Sequence, residues 1–130
     1  MRDVLLDEFI TQAAQRPFEW GKFDCALFVS DWCVKCAGFD PALNYRGKYK
    51  TEIGAKRQLL KKDKSMSNAC DDHMLRVGVN FAQKGDICAA LLDGSMTMGI
   101  IASRGGIWFK TENSGVDLLH IKPSIVWRVL

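Results

Sequence analysis

The spacing of apolar residues changes at Lys84, and this change limits the chain to one class of fold. Before Lys84 the apolar residues recur at helical spacing, and after it short apolar runs alternate with turns that contain glycine. Helices followed by strands are typical of an α+β domain in which an antiparallel sheet packs on helices. A chain of 130 residues has the length of one such domain, so we expect a single domain over residues 1–130.

Helices are predicted in the first part of the chain, with ends that local signals define. The predicted helices are Asp3–Gln15, Asp24–Ala37, Thr51–Lys62 and Ser67–Leu75. Asp24 and Thr51 are suited to be N-caps, and Gly38 is suited to end the second helix. The apolar residues expected to be buried on the first helix are Val4, Leu5, Phe9, Ile10 and Ala13, and those on the third are Ile53, Leu59 and Leu60.

Strands are predicted in the second part, separated by glycine-containing turns. The predicted strands are Ile87–Leu92, Met96–Ala102, Gly106–Thr111, Val116–Ile121 and Ile125–Val129, and the segment Val77–Phe81 is ambiguous. No apolar run has the length of a membrane span. The acidic start of the chain lacks the basic residues and apolar core of a signal peptide, so synthesis in a cytoplasm is expected.

The charge balance does not indicate nucleic acid as a partner, because the net charge is only +3 at pH 7. Most of the basic excess falls in one segment, residues 46–64. Its members are Arg46, Lys48, Lys50, Lys56, Arg57, Lys61, Lys62 and Lys64. Such a segment is usually a solvated helix face, and binding to an anionic partner is the alternative.

The stretch Pro17–Phe28 places a cysteine at the predicted start of a helix. Trp20 and Gly21 are suited to a tight turn just before Cys25. In the first turn of a helix a thiol meets unpaired backbone N–H groups and the positive end of the helix dipole, which favour the thiolate. The sequence therefore predicts Cys25 as a candidate nucleophile and Asp24 as the cap that orients its helix.

Zinc binding is an alternative use of the other cysteines. Five cysteines without a signal peptide argue against a disulfide framework. Cys33 with Cys36, and Cys70 with His73, have the spacing of zinc ligands. However, Cys33 and Cys36 fall inside a predicted helix rather than on a turn, and no zinc-knuckle residues accompany them. We therefore expect no metal and no cofactor.

The motifs around Cys25 resemble the NlpC-type branch of the papain-like cysteine peptidases, which cut peptide bonds in bacterial cell walls. Phe18-Glu19-Trp20-Gly21 resembles that family's Tyr-x-Trp-Gly turn, and Asp24-Cys25-Ala26-Leu27-Phe28 resembles its Asp-Cys-Ser-Gly-Phe nucleophile motif. Farther along the chain, Gly85-Asp86 and Thr97-Met98-Gly99-Ile100 are similar to its Gly-Asp and His-Val-Gly-Ile motifs. The resemblance implies a papain-like fold, with N-terminal helices packed on a C-terminal antiparallel sheet.

A closer resemblance is to small proteins of phage and prophage tail gene clusters, and it spans nearly the whole chain. The shared features are Pro17 to Gly21, Asp24-Cys25, Asp31, Gly47-Lys48-Tyr49 and Trp127-Arg128-Val129. This resemblance implies other phage tail proteins as partners. It also implies a protein that is found in the bacterial host cytoplasm during assembly and then in the virion tail.

Three positions depart from the peptidase pattern. The family's histidine, which takes the proton from the thiol, is Thr97 here, and threonine is not a base near neutral pH. The polar residue that orients this histidine falls in an apolar stretch, at Phe109. The family's tyrosine beside the nucleophile is Phe18. The resemblance therefore implies a degenerate site that retains Cys25.

Two histidines are available as replacement bases, and two functions follow. His120 is the preferred candidate because His73 falls in the helical insert, although His120 lies past both aligned catalytic strands. The first function is a non-enzymatic structural or assembly role in a phage tail, near its tip. The second is an active peptidoglycan-cleaving cysteine endopeptidase or amidase that uses Cys25. The missing histidine favours the first.

Overall fold

The computed structural model describes residues 2–112 and 115–129, in which helices precede a six-stranded antiparallel sheet. The helices are α1 (Arg2–Gln15), α2 (Cys25–Ala37), α3 (Glu52–Lys62) and α4 (Met66–Asp71). The strands are β1 (Leu75–Val77), β2 (Ile87–Leu92), β3 (Ser95–Ile101), β4 (Ile107–Lys110), β5 (Val116–Leu119) and β6 (Ile125–Arg128), with a 3-10 helix at Val79–Phe81. The predicted α+β architecture is confirmed. In the described part of the chain, no helix combines the length and apolar character needed to cross a bilayer.

Helix α2 is fixed at both ends by the residues that the sequence indicates. The carboxylate of Asp24 accepts a hydrogen bond from the backbone N–H of Leu27 at 3.0 Å. Gly38 ends the helix in the left-handed conformation, with a φ of 77°. Within the helix, Trp32 is fully buried, and its Nε1 donates to the carbonyl of Gly85 at 2.8 Å. This bond holds α2 against the turn that precedes β2.

The strands lie in the order β1-β6-β2-β3-β4-β5, and every neighbouring pair is antiparallel. Side chains alternate along β3, so that Met98 and Ile100 pack with α1 and α2, whereas Ile101 packs in a second cluster with Ile107 and Phe109. Buried clusters therefore cover both faces of the central strands.

Some residues predicted to be buried are exposed instead. On α1, Val4 is 59% exposed, and Leu6 takes its place in the core. On α3, Ile53 is 64% exposed and Leu60 is 65% exposed, because this helix contacts the rest of the protein through the side that carries Leu59. Apolar spacing predicted a buried face for α3 that the helix does not have.

The fourth predicted helix is also shorter than expected. It ends at Asp71, and Leu75 is the first residue of β1 rather than part of the helix. Strand β1 pairs only with β6, which lies far along the chain. Because this pairing is non-local, the local sequence carried no signal for it.

Candidate functional site

A tight turn leads the chain into α2. Gly21 has a φ of 84°, and a Cβ atom there would lie 2.0 Å from the carbonyl oxygen of Tyr49, so only glycine fits. Glu19 and Phe23 pair across the turn as an antiparallel bridge. The backbone N–H of Gly21 points at Asp24. The turn therefore fixes the position of Asp24 and of the helix start behind it.

Asp24 is a buried carboxylate, only 1% exposed, that three donors hold in place. The backbone N–H groups of Gly21 and Leu27 each donate to it at 3.0 Å, and the hydroxyl of Tyr49 donates at 2.5 Å. No cation within the described ranges lies at ion-pair distance from it. The three donors and the helix N-terminus therefore compensate for burying the charge.

Cys25 is the first residue of α2, and its surroundings hold the thiol in the protonated form. Burial, followed by the carboxylate of Asp24, raises the pKa of Cys25 to about 12. Hydrogen bonds from the backbone N–H groups of Met98, Ala26 and Cys25 itself oppose that rise. The thiol is therefore protonated at neutral pH. Burial and the adjacent charge thus outweigh the activation expected from the helix N-terminus.

A cleft of about 460 Å³ opens beside Cys25, between one end of the sheet and helices α3 and α4. The sequence-predicted site residues that line it are Phe18, Asp24, Cys25, Cys70 and Thr97. The hydroxyl of Thr97 donates to the carbonyl of Ser95 at 3.2 Å. The structure therefore brings the aligned histidine position to the cleft, but the residue present is not a base.

His120 lies at the other end of the sheet. In the β4–β5 pair, Lys110 at the cleft pairs with Val116, and Ile107 at the opposite end pairs with Leu119. His120 follows Leu119, so it lies about 13 Å along the strand from Val116. Its side chain is exposed. The structure does not bring His120 to Cys25.

Phe109 is fully buried on the face of the sheet opposite α2. It packs with Ile101 and Ile107, and a Cβ atom on Gly99 would meet its ring at 2.9 Å. Met98, the neighbour of Gly99, faces α2 instead. The position aligned with the third catalytic residue of the family therefore fills the second core and does not line the cleft.

The alternative zinc ligands are not assembled into a metal site. Burial raises the pKa of Cys33, and the neighbouring thiols of Cys70 and Cys36 add smaller effects. Burial also raises the pKa of Cys70 to about 12. His73 is exposed and stacks on Phe39, with 6.4 Å between the ring centroids. In residues 2–112 and 115–129, no three His, Cys, Asp or Glu side chains are arranged to hold a metal ion.

Tyr49 is a site residue that the sequence analysis did not single out. Burial and its hydrogen bond to Asp24 raise the pKa of Tyr49, so its hydroxyl remains a donor. Arg46 anchors the segment that carries Tyr49 through an ion pair of 2.7 Å with Asp31 on α2. The available signal was the Gly47-Lys48-Tyr49 segment of the sequence. Phe18 lacks the hydroxyl of the tyrosine expected at its position, but Tyr49 places a hydroxyl beside Asp24.

Lys110 is a second residue that sequence reasoning missed. It is 1% exposed, and its Nζ donates to the carbonyls of Ala13 at 3.3 Å and Arg16 at 2.5 Å, at the end of α1. Burial, with a smaller effect of Arg16, lowers the pKa of Lys110. Two carbonyls hold the ammonium group, which stabilises the helix end. The only feature of the sequence that pointed to this role was the position of Lys110 at the end of an apolar strand.

The helices, the sheet and the cysteine at the start of α2 define an NlpC-type, papain-like fold. The chain is similar to the NlpC/p60 domain of the peptidoglycan hydrolase SagA, as seen in its crystal structure. The TM-score is 0.60 at 13% sequence identity, and the match covers 96% of this chain and 97% of that one. At this identity the likeness shows the fold alone.

The chain belongs to the family described as Domain of unknown function (DUF6950), whose model matches residues 2–129. A comparison with curated proteins gives no match.

Proposed function

We propose that this protein is a structural or assembly component of a phage tail, near the tail tip, with an NlpC-type fold that does not act as a peptidase. The observation that carries the proposal is the state of Cys25, whose pKa is raised to about 12 in a cleft that neither histidine lines. A cysteine peptidase needs a base that takes the thiol proton and returns it to the leaving amine. Without this base, Cys25 remains a protonated thiol in the wall of the cleft.

The tail role itself is supported by the motifs shared with tail-cluster proteins, from Pro17 to Val129. Under this proposal the protein acts in the bacterial host cytoplasm during assembly and then remains in the virion tail. Its partners are other tail proteins. The four tryptophans are then core or interface residues, and two of them, Trp32 and Trp127, are fully buried.

Genetic complementation tests this proposal. The gene is deleted from a phage that carries it, and wild-type protein, Cys25→Ala or Cys88→Ala is supplied in trans. The Cys88→Ala control removes a buried thiol of the second cluster, which does not line the cleft. We expect deletion to abolish infectious particles, all three proteins to restore them, and mass spectrometry to detect the chain in purified tails.

Two results contradict the proposal. Tails that assemble and infect without the gene would rule out the tail role. A folded Cys25→Ala protein that fails to restore infection, while Cys88→Ala restores it, would show that the thiol is needed for chemistry.

One feature favours a second function, the cleavage of peptidoglycan peptides by Cys25. Cys25 lies at the start of α2 and lines the cleft, and backbone N–H groups at a helix start can stabilise the oxyanion formed in acyl transfer. The similar domain of SagA belongs to a peptidoglycan hydrolase. In this alternative Cys25 attacks the amide carbonyl, and a partner chain supplies the base.

Digestion of purified peptidoglycan distinguishes the two functions. Wild-type protein and Cys25→Ala are incubated with cell-wall sacculi as part of the tails rebuilt by complementation, so that a partner chain is present, and the released muropeptides are identified by mass spectrometry. The tail-component proposal predicts the same release with either protein. Release by the wild type alone would establish the peptidase.

A further inference from the structure

Helix α3 carries an exposed stripe of apolar and basic side chains. Ile53, Lys56, Arg57 and Leu60 follow at the spacing i, i+3, i+4 and i+7, which places them on one face of the helix. The structure describes all of α3, and none of its residues is buried. The only ion pair of Lys56 within the described residues is a 3.8 Å contact with exposed Glu52. Two large aliphatic side chains therefore lie exposed beside two basic groups.

Helix α1 carries the complementary stripe on its outer face. Val4, Asp7, Glu8 and Thr11 have the same i, i+3, i+4 and i+7 spacing, and all four are exposed. Val4, at 59% exposure, is the aliphatic residue of this stripe. Asp7 makes one ion pair in the described chain, a 3.4 Å contact with Lys84, in which the Asp7 side chain is largely exposed. Positions i+3 and i+4 are therefore acidic in the α1 stripe and basic in the α3 stripe.

We propose that the α1 stripe of one molecule docks on the α3 stripe of a second copy of this chain. The carboxylates of Asp7 and Glu8 then face the cations of Lys56 and Arg57, and Val4 packs beside the aliphatic residues of α3. Helices pack with axes 8–10 Å apart, close enough for both kinds of contact. Because the two stripes are different surfaces, the contact is heterologous and joins copies into a ring or a filament.

The charges favour a second copy as the occupant, because one chain carries both halves of the contact. The interface is small, a single face of one helix on each side, so we expect association to be weak and dependent on salt. This inference does not depend on whether Cys25 is catalytic.

Sedimentation equilibrium with charge-reversed variants tests the proposal. The first variant, Lys56→Glu/Arg57→Glu, reverses the α3 stripe, and the second, Asp7→Lys/Glu8→Lys, reverses the α1 stripe. The control, Lys35→Glu/Lys122→Glu, makes the same change in net charge as the first variant, at two exposed lysines outside both stripes. Circular dichroism and thermal unfolding verify that each variant is folded.

At low salt we expect the mean mass of the wild type and of the control to rise with concentration up to about 1 mM protein. Each stripe variant alone should associate at least about tenfold more weakly, and an equimolar mixture of the two should regain the wild-type association. Added salt should lower association of the wild type.

Three results overturn the proposal. The first is a wild type that stays monomeric over this concentration range, and the second is a mixture of the two variants that associates no better than either alone. In the third, the protein does not self-associate but binds vesicles of anionic lipid through the α3 stripe, which makes a membrane surface the occupant.

Discussion

The contact between Tyr49 and Asp24 predicts a specific loss of stability when the hydroxyl is removed. Tyr49→Phe keeps the ring that packs beside the Leu27 cluster and deletes only the donor to the buried carboxylate. A hydrogen bond to a charged group contributes about 2 kcal/mol. We therefore expect the free energy of unfolding to fall by about 2 kcal/mol, which corresponds to a fall in Tm of about 7 °C for a domain of this size.

A double-mutant cycle separates this bond from the packing of the ring. In an Asp24→Asn background the acceptor is neutral, so Tyr49→Phe should cost about 1 kcal/mol or less, which leaves a coupling energy of about 1 kcal/mol. Tyr45→Phe is the control, since its hydroxyl donates to Asp63 and not to Asp24. Its cost should be equal in both backgrounds.

Urea unfolding followed by circular dichroism at pH 7 measures all six proteins of this set. If Tyr49→Phe costs under about 0.5 kcal/mol, or costs the same with and without the Asp24 charge, the reasoning is refuted. In that case the hydroxyl does not stabilise the carboxylate, and Asp24 depends on the two backbone donors alone.

Three further predictions concern the ionisable groups. Alkylation of Cys25, mapped by mass spectrometry, should be slow at neutral pH and faster in Asp24→Asn, because the carboxylate raises the pKa of the thiol; fast labelling of the wild type near pH 6 contradicts this. Lys110→Met should lower the free energy of unfolding by about 2 kcal/mol, since two carbonyls lose their donor; an unchanged urea midpoint contradicts it. Folding raises the pKa values of four thiols above 9.0, the ordinary pKa of a thiol, so the unfolded chain releases these protons at a lower pH than the folded protein does. The contribution of these thiols to the free energy of unfolding should therefore be fully present below pH 9.0 and should fall above it. Each thiol contributes at most about 1.4 kcal/mol per pH unit to the fall in the free energy of unfolding. Removing one of the four thiols by Cys88→Ala should therefore reduce the slope of this fall by about a quarter. A urea midpoint that stays constant from pH 8 to 10 contradicts the prediction.

Local signals predicted the parts of the fold that local interactions build. Asp24 and Gly38 define the ends of α2 because a cap depends on neighbouring backbone groups. The same approach was wrong for Ile53 and Leu60, since spacing shows that a helix has an apolar face but not whether another element covers it. Strand β1 was missed because its partner, β6, lies far along the chain.

The candidate site was predicted in part, for a similar reason. Cys25, Asp24 and Thr97 meet at one cleft, as the motif order implies. Tyr49 could not be assigned a role from sequence, because its bond to Asp24 depends on how the segment after α2 folds back over the helix start. The distance between His120 and Cys25 likewise follows from strand register, which pattern alone does not determine.

The position of β6 in the sheet determines when the sheet can be completed during synthesis. Strand β6 lies between β1 and β2, although it is the last of the six strands along the chain. While the ribosome is still making residues 125–128, β1 has no partner and β2 has one unpaired edge. The nascent chain therefore exposes an open, apolar strand edge until the end of the described chain emerges, and contacts of such high sequence separation make folding slow. The Cys25 helix packs on this same sheet, and the core between them includes Trp127 of β6, so this core is completed only after β6 has emerged.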